Sequence, residues 1–130
     1  MSSEAQFLKD NRVILYTYSD PLDLSKDTQL LIEHRQLYEQ AALPIHRIID
    51  ATHITKIPSG LLSAVLHNTN LRHPKSGSIV LVIQHPMFSI LADVVRRAIR
   101  SADVRIVHSM DEASAEIDRI LAKETHLSSV

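Results

Sequence analysis

The run Ile79-Val80-Leu81-Val82-Ile83 carries no polar side chain on either of its faces. Successive side chains of a strand point to opposite faces, so a run of this kind belongs in a central strand with both faces covered. The chain around it must therefore supply other strands to pair with it and helices to cover it. Lys75-Ser76-Gly77-Ser78 reads as the turn before this strand and Pro86 as the residue that closes it.

The remaining elements follow from periodicity. Val13 to Tyr18 is β-branched and aromatic and stops at Ser19-Asp20-Pro21, so it reads as a strand ending in a turn. Upstream, Ala5 to Leu8 followed by Asp10-Asn11 fits an edge strand turned back against it as a hairpin. From Ser25, Leu30, Leu31, His34, Leu37, Tyr38 and Ala41 recur at helical spacing, and Pro44 ends the pattern. Ile45 to Asp50 reads as the next strand, and Leu61, Leu62, Val65, Leu66 and Thr69 as a second helix ending near His73-Pro74. Phe88, Leu91, Ala92, Val95, Ala98 and Ile99 face a third helix inward, Val104 to Val107 is a strand, and Ala113, Ile117, Ile120 and Leu121 stripe a last helix capped by Ser109 or Asp111. The order is ββαβαβαβα. It predicts an α/β fold with a mostly parallel sheet and an antiparallel N-terminal edge strand.

Length and composition narrow what such a fold is for. One domain, residues 5–123, fills the 130-residue chain and leaves 124–130 as a flexible tail without periodicity. With 14 Lys and Arg against 15 Asp and Glu, no positive excess is available to hold a phosphate backbone, which argues against nucleic acid. The absence of Cys removes disulfides, thiolate metal sites and Cys nucleophiles together. The longest apolar stretch falls far short of the ~20 residues of a membrane helix, and Met1 to Asp10 has no signal-like run, so a soluble, cytoplasmic protein is expected. Only 2 Gly are present, too few for a Gly-rich phosphate loop, and no cofactor is implied. The unusual count is 8 His.

The segment from Arg47 to Leu62, Arg-Ile-Ile-Asp-Ala-Thr-His-Ile-Thr-Lys-Ile-Pro-Ser-Gly-Leu-Leu, resembles the diagnostic stretch of STAS domains, the family of sulfate transporters and anti-sigma-factor antagonists. There a strand ends in Asp, a short loop with alternating apolar positions follows, and Ser-Gly-Leu opens the next helix; Asp50, Ile54, Ile57, Ser59, Gly60 and Leu61 fit. Tyr18 to Asp23 resembles the family's turn before helix one, and the element order agrees from about Ala5 to Leu121. The resemblance implies sequential strand order, a right-handed β-α superhelix with helices mainly on one side, and a non-enzymatic regulatory module whose partner is a protein, a kinase or an anti-sigma-type regulator. Its working surface would be the loop 52–61 and the start of helix two, with Asp50, Thr55, Ser59 and Gly60 as the interaction or phospho-acceptor candidates. Ser59 stands where regulatory members accept phosphate, although their Asp-Ser-Ser-Gly-Leu run is here one residue shorter and lacks the Asp.

Each candidate also has a plainer reading. A phosphate on Ser59 would be favoured at a helix N-terminus, and an unmodified Ser there is an ordinary N-cap. His53, His85 and His108 would fall just past the carboxyl ends of parallel strands, where α/β sheets bind ligands, which opens an alternative: a small-molecule or metal-binding protein, even an enzyme. Their spacing matches no metal motif, and the sequence supplies no nucleophile, base and orienting group together, so neither a metal nor a catalytic residue is assigned. His46 and His67 read as surface positions. Arg96, Arg97 and Arg100 read as a solvated helix face or a small basic patch. A homo-oligomer is compatible with all of this.

Overall fold

A computed structural model of the chain describes residues 3–20, 33–56, 60, 63, 73–84, 86–99 and 103–128. Five strands, β1 (Ser3–Leu8), β2 (Val13–Ser19), β3 (Ile45–His53), β4 (Ser76–Val82) and β5 (Asp103–Val107), form one sheet in the order β1-β2-β3-β4-β5. β1 is antiparallel to β2, and every other pair is parallel. The expected α/β class, the antiparallel edge strand and the sequential strand order are all present. The β1–β2 turn runs through Lys9, Asp10 and Asn11, all with positive φ, and closes with Arg12 N–H on the Lys9 carbonyl at 3.1 Å. Asp and Asn tolerate that left-handed backbone better than most residues, which is why the hairpin turns at this point.

The described helices are α1 (33–40), α2 (Pro86–Ala98) and α3 (Met110–Ser128). Helix two of the sequence reading, apart from Ser63, lies outside the described residues. Alternation along the strands divides the core between two faces. On one, Val13, Ile48, Val80 and Val82 pack against Ala113, Ile117 and Ile120 of α3. On the other, Ile14, Tyr16 and Ile45 meet Tyr38 of α1, and Ala51 and Ile83 meet Leu91 of α2. Val80 and Val82 on one face of the all-apolar run and Ile79 and Ile83 on the other are all buried, so this strand has cover on both sides, as its composition demands. Ser109 caps α3: its hydroxyl accepts the Glu112 N–H at 3.1 Å, and the Glu112 carboxylate accepts the His108 N–H at 2.6 Å.

Several boundaries differ from the sequence reading. β3 continues to His53 rather than stopping at Asp50, so His53 is the last residue of the strand and not part of the loop after it. Ser76-Gly77-Ser78 is the start of β4, and the turn is His73 to Lys75. α3 runs through Glu124 to Ser128, past the point where its apolar stripe ends. Glu124 is no tail residue: it bonds both Arg12 and His46.

His46, read as a surface residue, is buried with 2% of its surface exposed. It lies on the face of β3 that α3 covers, and a bulge in β4 gives its ring a partner. Ile45 pairs with Ser76 but Arg47 pairs with Ile79, so β4 carries one extra residue there. The bulge frees the Ser78 N–H, which donates to His46 Nδ1 at 2.8 Å. Nδ1 is therefore the acceptor and Nε2 bears the proton, given to Glu124 at 2.7 Å. A Cβ on Gly77 would lie 2.3 Å from His46 Nδ1, so only glycine allows the ring to lie against the bulge.

Candidate functional site

The parallel strands β2 and β3 end side by side, and the segment after β3 leaves the sheet at this edge. Asp50 is buried, and its Oδ1 accepts both the Thr52 N–H at 3.0 Å and the Thr52 hydroxyl at 2.7 Å. These bonds coincide with a second irregularity of register, where Thr17 pairs with Asp50 but Ser19 with His53. A carboxylate that accepts from the residue two positions on holds a local turn. Asp50 thus shapes the exit of β3 through Oδ1.

Two residues later the exposed segment is tied to the neighbouring strand. Thr55 donates both its N–H, at 2.9 Å, and its hydroxyl to Oδ2 of Asp20, the residue that follows β2. The Thr55 hydroxyl bond, then its backbone bond, holds the Asp20 carboxyl below its ordinary range, with the Lys56 backbone adding to it. Between the Asp50 turn and this clamp, Ile54 is buried against Ala51 and Ile83, while His53, Thr55 and Lys56 are exposed. One apolar anchor beneath and one carboxylate beside it give the segment a fixed, polar, outward-facing surface. Gly60 is exposed with φ of 85°, a left-handed conformation that glycine adopts without strain.

The sequence candidates therefore separate. Asp50, Thr55 and Gly60 lie on or beside this segment, Asp50 as scaffold and Thr55 as clamp. Ser59 lies outside the described residues, as do His67 and His85. His53 closes β3, and His108 follows β5 with Nδ1 3.2 Å from the Ile83 carbonyl, which lends it a structural contact. Among the described residues no three His, Cys, Asp or Glu side chains come together as a metal ion would require. Arg96 is not simply outward: Nε and Nη2 donate to the Val104 carbonyl at 2.9 and 2.6 Å, joining α2 to β5. Arg97 is exposed.

Sequence reasoning missed the polar groups at the opposite edge, where the parallel strands begin. His46 and Arg47 are adjacent in β3 and project to opposite faces, and both are buried. His46 joins β3, β4 and α3 through Ser78 and Glu124, and Ser78 continues to Asp103 at 2.7 Å, Asp103 to Arg105 at 3.1 Å and Arg105 to Glu116 at 2.6 Å. A signal was available. Two consecutive polar residues in a strand covered on both faces must both go inside, one to each layer. No helix among the described residues is long and apolar enough to cross a membrane. No protein-family model matches the chain, and no curated protein matches it closely enough to count as a relative.

Proposed function

We propose that the chain is a non-enzymatic, STAS-like regulatory module that binds another protein through the segment 52–61 and the start of the helix after it. The observation that carries this reading is the Asp20–Thr55 clamp. It holds the exposed Thr55 against the sheet edge before any partner arrives. A surface already fixed in place loses little conformational freedom on binding, which favours specific recognition of a folded partner. The resemblance names the partner class, a kinase or an anti-sigma-type regulator. In this reading Ser59 is the residue whose charge state would tune the contact, because a phosphate brings roughly −1.5 to −2 charge to the surface.

The test is a photo-crosslinking residue placed at Lys56 in the full chain in its own cell, with the same residue at exposed Asp118 of α3 as control. Crosslinks from position 56 to a kinase or an anti-sigma-type regulator, absent at 118 and lost in Asp20→Ala, are the expected result. Equal capture at both positions, or none at position 56, contradicts the reading.

A further inference from the structure

Arg47 is a buried cation without a counter-ion among the described residues. Its side chain is 1% exposed, yet none of the ion pairs there includes it. Nη2 donates to the Ser76 hydroxyl, and Nε, also buried, has no hydrogen-bond partner among the described residues. The guanidinium lies over the Tyr38 ring, 5.4 Å from its centroid, and the Tyr38 hydroxyl is likewise buried and unpartnered. A cation–π contact offsets part of the desolvation of a guanidinium but takes none of its N–H protons.

What these groups lack is an acceptor. Among the described residues Arg47 Nε–H and Tyr38 O–H are donors without an acceptor, and Ser76, whose oxygen accepts from Arg47, keeps its own proton to give. Buried donors left in this state are costly, and a buried charge more so. The surrounding turn brings a second cation, Lys75, rather than a counter-charge, and the His73 Nδ1 is taken by the Lys75 N–H at 3.1 Å. Lys75 Nζ reaches the Ala42 carbonyl at 3.0 Å and pairs with no described carboxylate, and the His73 ring lies 5.7 Å from that of Tyr38. His73, Lys75 and Ser76 are each half-buried, which places this turn between the donors and solvent.

The geometry points to an oxyanion site formed by Arg47, Tyr38 and Ser76 beneath the turn 73–75, with Lys75 at its mouth, that takes a phosphate or phosphate-monoester group. A tetrahedral oxyanion offers acceptors in several directions and so suits donors coming from β3, β4 and α1, whereas a planar carboxylate suits a single guanidinium fork. The site lies where the parallel strands start, at the opposite edge from the proposed protein-binding segment, and does not depend on that reading. The turn must shift to admit the ligand, so binding is expected to alter the Lys75 and Ser76 amides directly.

The experiment titrates the full chain with inorganic phosphate, and separately with glycerol phosphate, against chloride at equal ionic strength. It reads the Arg47 Nε–H and Ser76 amide resonances and the thermal midpoint. Saturable shifts of both resonances, and a midpoint about 4 °C higher at tenfold excess over the dissociation constant, are expected. Both responses should fall at least tenfold in affinity in Tyr38→Phe and Lys75→Ala, which keep the ring and the turn. A stronger response to glycerol phosphate assigns a monoester ligand, and an equal one a free phosphate. No saturable response beyond that of chloride overturns the proposal, because a water molecule then completes the site. An undiminished response in both variants overturns it as well, as an adventitious ion only.

Discussion

His46 shows how one side chain contributes to the pH dependence of the whole chain, beside His34, whose pKa burial also lowers. The ring accepts from Ser78 and donates to Glu124, an arrangement open only to the neutral tautomer protonated at Nε2. Burial, the larger influence, holds its pKa below the ordinary value against the pull of Glu124 and Asp103, and Arg12 adds to the lowering. Since the folded pKa lies below the unfolded one, the contribution of the neutral ring is complete above about pH 6.5 and is lost as pH falls through the folded value. Asp103 and Glu116 are also depressed from ordinary carboxylate values, so they act at lower pH, outside this window. Urea midpoints should therefore fall between pH 7 and pH 5 in the wild type. His46→Asn, weaker at pH 7, should show a flatter profile. Parallel profiles for the two proteins would mean that His46 is not buried neutral.

At the scale of elements, the clearest departure from sequence expectation is the end of α3. Ala113, Ile117, Ile120 and Leu121 announce the helix by their spacing, and after Leu121 the apolar period fades into Lys123, Glu124 and Thr125. Periodicity records contacts with an apolar core and is blind to a helix turn held by polar bonds. Here Glu124 meets Arg12 from the β1–β2 hairpin and His46 from β3, residues far from it in the sequence. A chain ending at Lys123 should accordingly lose ~1 to 3 kcal/mol in denaturant melts, because it leaves the buried His46 without its acceptor. A loss near zero would restore the reading of this segment as a frayed tail. The start of β4 was hidden for a related reason. Lys75-Ser76-Gly77-Ser78 has the composition of a turn, and only the bulge opposite His46 explains why a strand tolerates glycine there.

For the whole molecule, the α/β class and the parallel pairing from β2 onward were legible because β2 to β5 are short β-branched runs and each connection between them is long enough for a crossover, whereas the sequential strand order came only as an implication of the resemblance. The site was legible in part. Asp50 and Thr55 stand out through the motif, but the partner of Thr55, Asp20, becomes evident only once β2 and β3 lie side by side. Tyr38 stood in the apolar stripe of helix one and Arg47 beside a second polar residue in a strand covered on both faces, but that the guanidinium and the ring meet was not legible, since they come from separate elements. The central claim is that the segment after β3 is held in its binding shape by Asp20 in the free protein. Amide hydrogen exchange at Thr55 tests this most directly. Its N–H is on an exposed residue outside the sheet ladder, so its protection depends on the Asp20 carboxylate. We expect Thr55 to exchange at least tenfold more slowly than its intrinsic rate in the wild type and near that rate in Asp20→Ala, with the Ile48 and Val80 amides unchanged in both. Exchange of Thr55 at its intrinsic rate in the wild type would contradict the account.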